Sequence, residues 1–133
     1  MLAADTAARP ANPLIYLVDD DEEMLNIAEM SLHGQGYELK RFNNPDVALA
    51  ALAREPRQPD LLITDYAMLP FDGLELSARS KSAWPALKIL MVSGTAGPEI
   101  LHGAPVQLNH FLPKPYNPKD LINTVRTLLQ AGR

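Results

Sequence analysis

The sequence predicts an α/β fold, a doubly wound parallel sheet built from five βα units. Three observations carry that expectation. Short apolar runs recur at 14–18, 37–42, 61–64, 87–92 and 110–112. Stretches with helical periodicity separate them, as strand–helix–strand units require. Nothing between neighbouring runs suggests a hairpin, so each strand returns by a crossover.

Residues 1–12, rich in alanine and without an apolar core of the secretory type, are expected to be a flexible lead-in to a domain over 13–131. "LIYLV" (14–18), "LLIT" (61–64) and "LKILMV" (87–92) are continuous and rich in Leu, Ile and Val, the pattern of strands covered on both faces. "YELKRF" (37–42) alternates and carries charge, which suits an edge strand, and "HFL" (110–112) is the shortest run. After "DDDEE", Leu25, Ala28 and Leu32 share one helical face, and Gly34 and Gly36 end the pattern. "NNPDVALAALARE" offers Asn44 as N-cap, Pro45 at the first helical position and Asp46 in the first turn. "LELSARSKSA" follows the cap and turn residues Asp72-Gly73 and stops before Trp84-Pro85, a loop-to-strand packing anchor. "GTAGPEILHGAPV" holds three glycines and two prolines and makes a poor fourth helix. "NPKDLINTVRTLLQ" starts with Asn117-Pro118, and its Leu121, Ile122, Val125, Leu128 and Leu129 form the clearest amphipathic stripe. Right-handed crossovers then favour the flavodoxin-like strand order 2-1-3-4-5.

Composition narrows the function. The chain has 133 residues, room for one domain and one core. A net charge of -4 offers no basic footprint for direct nucleic-acid binding. The absence of cysteine removes disulfides, thiolate metal sites and cysteine nucleophiles, and fits a cytoplasmic protein. No apolar run approaches the roughly 18 residues of a membrane span. His33, His102 and His110 lack ligand spacing and read as surface or structural residues.

Open α/β sheets bind ligands beyond the carboxyl ends of their strands, at the switch in strand order. Strand 1 exits at Asp19, Asp20 and Asp21, strand 3 at Asp65, strand 4 at Ser93-Gly94, and strand 5 at Lys114. In order 2-1-3-4-5 these exits share one edge. Clustered carboxylates repel unless a cation joins them, and oxygen ligands suit a hard one, magnesium or manganese. Asp19 and Asp20 would anchor it and Asp65 would share it. Lys114 would meet one phosphoryl oxygen and Ser93 would donate to another. An aspartate can itself be the nucleophile, forming an aspartyl phosphate, so Asp65 is the expected acceptor. Asp20, Asp21, Glu22 and Glu23 also favour a helix start, but that explains neither Asp65 nor Lys114.

At these residues the chain resembles a response-regulator receiver domain, the CheY-like phosphoacceptor of two-component signalling, over residues 13 to 130. "VDDD" (18–21) is similar to the family's acidic pair, and "ITDYAMLPFDG" (63–73) to its acceptor loop. "VSG" (92–94) resembles the switch hydroxyl step, and "FLPKPYN" (111–117) the lysine signature. The resemblance implies that the Ala67 backbone carbonyl joins Asp19, Asp20 and Asp65 around the metal. It implies that Ser93 and Lys114 bind the phosphoryl group, and that Lys114-Pro115 is a cis bond. It further implies that Ser93 and Phe111 move on phosphorylation and reshape the face of the fourth helix, fifth strand and fifth helix. Implied partners are a sensor histidine kinase or histidine phosphotransfer protein and a downstream protein target, with the domain a monomer or a phosphorylation-dependent dimer. Two departures stand out: Met68-Leu69-Pro70 puts the proline one place late, and Ala67 carries no polar side chain toward an attacking water.

Three other functions compete. A haloacid-dehalogenase-type phosphohydrolase needs an aspartate where Ala67 stands, and a flavodoxin needs a phosphate cradle where strand 1 exits into acid. A degenerate receiver, acting as a phosphorylation-independent interaction module, would keep the fold alone. The expectation is a receiver that catalyses its own phosphorylation and turns over no external substrate. Output is expected through a protein contact, onward phosphotransfer or a domain outside this sequence.

Overall fold

Leu14 to Val18 has no polar side chain that must face water, and both of its faces are covered. The computed structural model describes residues 12–97, 99, 102 and 106–130. Its strands are β1 (Leu14–Val18), β2 (Glu38–Phe42), β3 (Leu61–Asp65), β4 (Lys88–Ser93) and β5 (His110–Pro113). All pair in parallel, in the order β2-β1-β3-β4-β5. The helices are α1 (Glu22–Leu32), α2 (Pro45–Arg54), α3 (Gly73–Ala83) and α4 (Pro118–Gln130). The expected lead-in lies outside the described residues apart from Asn12. So do residues 98, 100, 101 and 103–105 of the proline- and glycine-rich fourth helical stretch, and residue 131 at the expected domain end.

Alternation along the strands divides the core in two. Ile15, Leu17, Leu61, Ile63, Leu90 and Val92 pack against Leu25, Ala28 and Leu32 of α1 and Leu121, Val125 and Leu129 of α4. Leu14, Tyr16, Val18, Leu62 and Ile89 pack on the other face against Ala48, Ala51 and Leu52 of α2 and Leu76 of α3. Each fully buried leucine contributes roughly 2 kcal/mol by leaving water. No described helix is long and apolar enough to cross a membrane.

Local chemistry starts and stops the helices. Asp21, Asn44, Asp72 and Asn117 accept from the amides of Glu23 (2.9 Å), Asp46 (2.7 Å), Glu75 (2.9 Å) and Asp120 (2.8 Å), satisfying otherwise orphan donors. Gly34 and Gly36, at φ of 81° and 91°, take the chain out of α1 through a region that side chains disfavour. Strand register then aligns the functional edge. Val18 pairs with Thr64, Asp65 with Val92 and Ser93 with Pro113, so the exits of β1, β3, β4 and β5 finish nearly level.

Candidate functional site

Level exits place Asp19, one residue past β1, beside Asp65, the last residue of β3. Carboxylate oxygens of Asp19, Asp20 and Asp65 lie within 4.8 Å of one another. Asp19 and Asp65 are each only 6 % exposed, whereas Asp20 faces solvent. Lys114, one residue past β5, reaches across the sheet edge to Asp19 Oδ2 at 2.8 Å and Asp65 Oδ1 at 3.0 Å. The other Asp19 oxygen accepts from the Asp21 amide at 2.9 Å, which ties the start of α1 to the cluster.

The charges govern one another. Burial, and then the negative charge of Asp19, push the Asp65 carboxyl above its ordinary value; the Lys114 ammonium and the Tyr66 amide oppose this without cancelling it. Burial alone would lower the Lys114 ammonium, but its contacts with Asp19 and Asp65 outweigh that and raise it. Lys114 is therefore held as a cation between two carboxylates.

The donor set fits a hard divalent ion. Three carboxylates converge with oxygen ligands only, Asp20 is open to water, and one half-buried lysine cannot balance three negative charges. Asp19, Asp20 and Asp65 are the residues that would hold the ion.

The remaining expected residues take distinct places. Ser93 is buried at the end of β4, and its Oγ accepts from the amides of Ala96 (2.8 Å) and Thr95 (3.1 Å) in its own loop. Phe111 is buried in β5 opposite Met91. Ala67 is exposed in the loop after Asp65. In that loop Met68 turns into the core and Leu69 is 78 % exposed. Leu69-Pro70 and Lys114-Pro115 are both cis.

Three contacts escaped sequence reasoning. Tyr116 lines a small cleft with Asp19, Met24 and Ala28, and its phenol is raised first by burial, with Asp19 adding and Lys114 opposing. A Cβ on Gly73 would overlap the Asp65 carbonyl oxygen and stand 2.9 Å from Met91 Sδ, so the glycine brings the start of α3 directly against the end of β3. Thr64 Oγ1 donates to that same carbonyl at 2.9 Å. The only sequence signals were a hydroxyl closing an apolar run, an Asp-Gly pair and an aromatic after Lys-Pro.

Residues 15–126 match the family model of the response regulator receiver domain. This chain belongs to that family. The receiver is 32% identical over 119 residues to the response regulator receiver protein CpdR of Brucella abortus, covering 89% of this chain and 98% of CpdR. It is also 32% identical to the response regulator MprA of Mycobacterium leprae, over 90% of this chain but 52% of MprA, so it spans about half of that relative. Among solved structures, a CheY-like receiver domain protein from Methanospirillum hungatei superposes with a TM-score of 0.79 at 27% identity, over 90% of this chain and 94% of that one. The chemotaxis response regulator CheY4 of Vibrio cholerae gives 0.77 at 27% identity, over 88% and 98%. The protein is a CheY-like receiver of two-component signalling with an acidic pocket closed by Lys114. Receivers work with histidine kinases, typically as phosphoacceptors and not as turnover enzymes.

Proposed function

We propose that this receiver, spanning residues 13–131, accepts a phosphoryl group on Asp65 from a histidine kinase or histidine phosphotransfer protein in the cytoplasm. The observation that carries the reading is Lys114 bridging Asp19 and Asp65 at 2.8 and 3.0 Å inside a three-carboxylate cluster. A buried carboxylate facing two others is electrostatically costly, and a pocket ready for a phosphoryl group and its cation accounts for that cost.

In the transfer, an Asp65 carboxylate oxygen attacks phosphorus while the phosphorus–nitrogen bond of the donor phosphohistidine breaks, and the imidazole keeps the bonding electrons. Magnesium or manganese, held by Asp19, Asp20, Asp65 and the Ala67 carbonyl, would supply charge neutralisation at the phosphoryl oxygens. Lys114 exchanges its bond to Asp65 for one to a phosphoryl oxygen and stays cationic throughout. Ser93 turns from its loop amides to another phosphoryl oxygen. Phe111 and the face around β5 and α4 respond, altering contact with a downstream protein. The domain acts as a monomer or as a dimer formed on phosphorylation.

The test is incubation with magnesium and acetyl phosphate beside Asp65→Asn, followed by intact mass. One phosphoryl adduct is expected on the wild type, absent without magnesium and absent in Asp65→Asn. A wild type that stays unmodified, with acetyl phosphate and with a histidine kinase, would instead favour a receiver that works as an unphosphorylated interaction module.

A further inference from the structure

β3 is apolar on both faces until its final turn outward. Leu61 and Ile63 enter the core beneath α1 and α4, and Leu62 enters the core beneath α2 and α3. Thr64 alternates onto the side of Leu62 and is fully buried. Packing alone favours valine there, since it has nearly the same shape and strand preference and brings no hydroxyl to satisfy. An unpaired buried hydroxyl costs roughly 1–3 kcal/mol. The threonine hydroxyl is paired, and its partner is the backbone carbonyl of Asp65.

That carbonyl is gripped from a second side. Gly73 packs against it so closely that a side-chain carbon would overlap it. The same peptide is held at its other end, where the Tyr66 amide donates to the Val92 carbonyl at 2.9 Å, and the carbonyl of the following peptide, that of Tyr66, accepts from the Gly73 amide at 2.7 Å. The Asp65–Tyr66 peptide thus has the Thr64 hydroxyl and the bare Gly73 Cα at its carbonyl, the Val92 carbonyl at its amide, and a further hydrogen bond immediately beyond. A shift of this peptide would carry the Asp65 Cα with it and so displace the carboxylate from its contact with Lys114.

We infer that Thr64 is a positioning residue for the phosphoacceptor: its hydroxyl locks the Asp65 peptide and so aims the carboxylate. The inference rests on the reading of Asp65 as acceptor. Group transfer to a fixed carboxylate is sensitive to small misplacements, so the effect belongs to the rate of transfer and not to the affinity for the phosphodonor.

Two substitutions separate aiming from packing. Thr64→Val keeps the shape and loses the hydroxyl; Thr64→Ser keeps the hydroxyl and loses a buried methyl. Adduct formation from acetyl phosphate and magnesium is followed by intact mass, stability by urea unfolding and magnesium affinity by calorimetry. Thr64→Val should stay folded, form the adduct about tenfold more slowly with an unchanged half-saturating acetyl phosphate concentration, and bind magnesium several-fold more weakly. Thr64→Ser should unfold at a lower urea concentration yet recover most of the wild-type rate and affinity. A Thr64→Val protein that reacts at the wild-type rate, or rates that simply follow stability, would overturn the inference. Should the wild type itself form no adduct, the acceptor reading fails. Magnesium affinity then decides this inference, and equal affinities in all three proteins count against it.

Discussion

Lys114 and Arg41 each hold two carboxylates, in very different surroundings. Lys114 meets Asp19 and Asp65 at 2.8 and 3.0 Å, and Arg41 meets Glu29 and Glu22 at 2.5 and 2.8 Å. By distance the surface triad on β2 and α1 is the tighter one. Its side chains, however, are 32 %, 45 % and 60 % exposed, against 17 %, 8 % and 9 % for Lys114, Asp19 and Asp65. Water and salt screen the first group, so its net contribution to stability is small. In the second group, solvent has been replaced by protein, and each charge sets the terms for the others. A short ion pair at the edge strand braces the surface; a slightly longer one at the strand exits sets the state of a reactive group.

Replacing Lys114 with methionine should give the largest effect. Adduct formation should fall about a hundredfold or more, because a positioned cation at the phosphoryl oxygens is lost. Stability in magnesium-free buffer should fall by about 3 kcal/mol, because two carboxylates are left facing each other without their buried partner. Added magnesium should return part of that stability, which urea unfolding with and without the ion would read. If stability is unchanged in both buffers, the buried cluster behaves like the surface one and the contrast collapses.

Asp65→Asn should move stability in the opposite direction. The folded state holds the Asp65 proton more tightly than the unfolded chain does, so the ionised carboxylate destabilises the fold above its raised pKa. The penalty is relieved as pH falls through that value toward the ordinary aspartate range. In metal-free buffer at neutral pH, Asp65→Asn should melt a few degrees above the wild type, and the gap should close as pH is lowered. A gap that widens on acidification would reverse the sign of the argument.

Arg41→Ala should do least. Adduct formation should be unchanged and Tm should shift by no more than about 2 °C despite the two short contacts. A larger shift would show that the β2 edge is stapled to α1 by charge and not by packing.

Much of this arrangement is legible in the residues. β1 occupies the span expected of "LIYLV", and the other strands fall within one residue of their runs at either end. Asn44 and Asn117 cap where their side chains and following prolines suggest, because capping is a local matter of one side chain and one amide. Asp19, Asp20, Asp65 and Lys114 were also predictable as a group, since strand order and strand exits alone bring them to one edge. Ser93 was legible as a position but not as a contact: its hydroxyl is taken by Thr95 and Ala96, a choice made by the loop path. Thr64, Gly73 and Tyr116 were read only as a strand end, a helix start and part of the lysine signature.

What the sequence determined by itself is the parallel sheet, its two-sided core and the meeting of carboxylates with a lysine. Those follow from hydrophobic periodicity, caps and crossover handedness, each of which acts over a few residues or over whole elements. Only the tertiary structure decided that Lys114 bonds to both aspartates, that Gly73 must lack a side chain and that Thr64 spends its hydroxyl on the Asp65 peptide. Such contacts depend on a few tenths of an ångström between segments far apart in the chain, and a one-dimensional pattern does not encode distance at that scale.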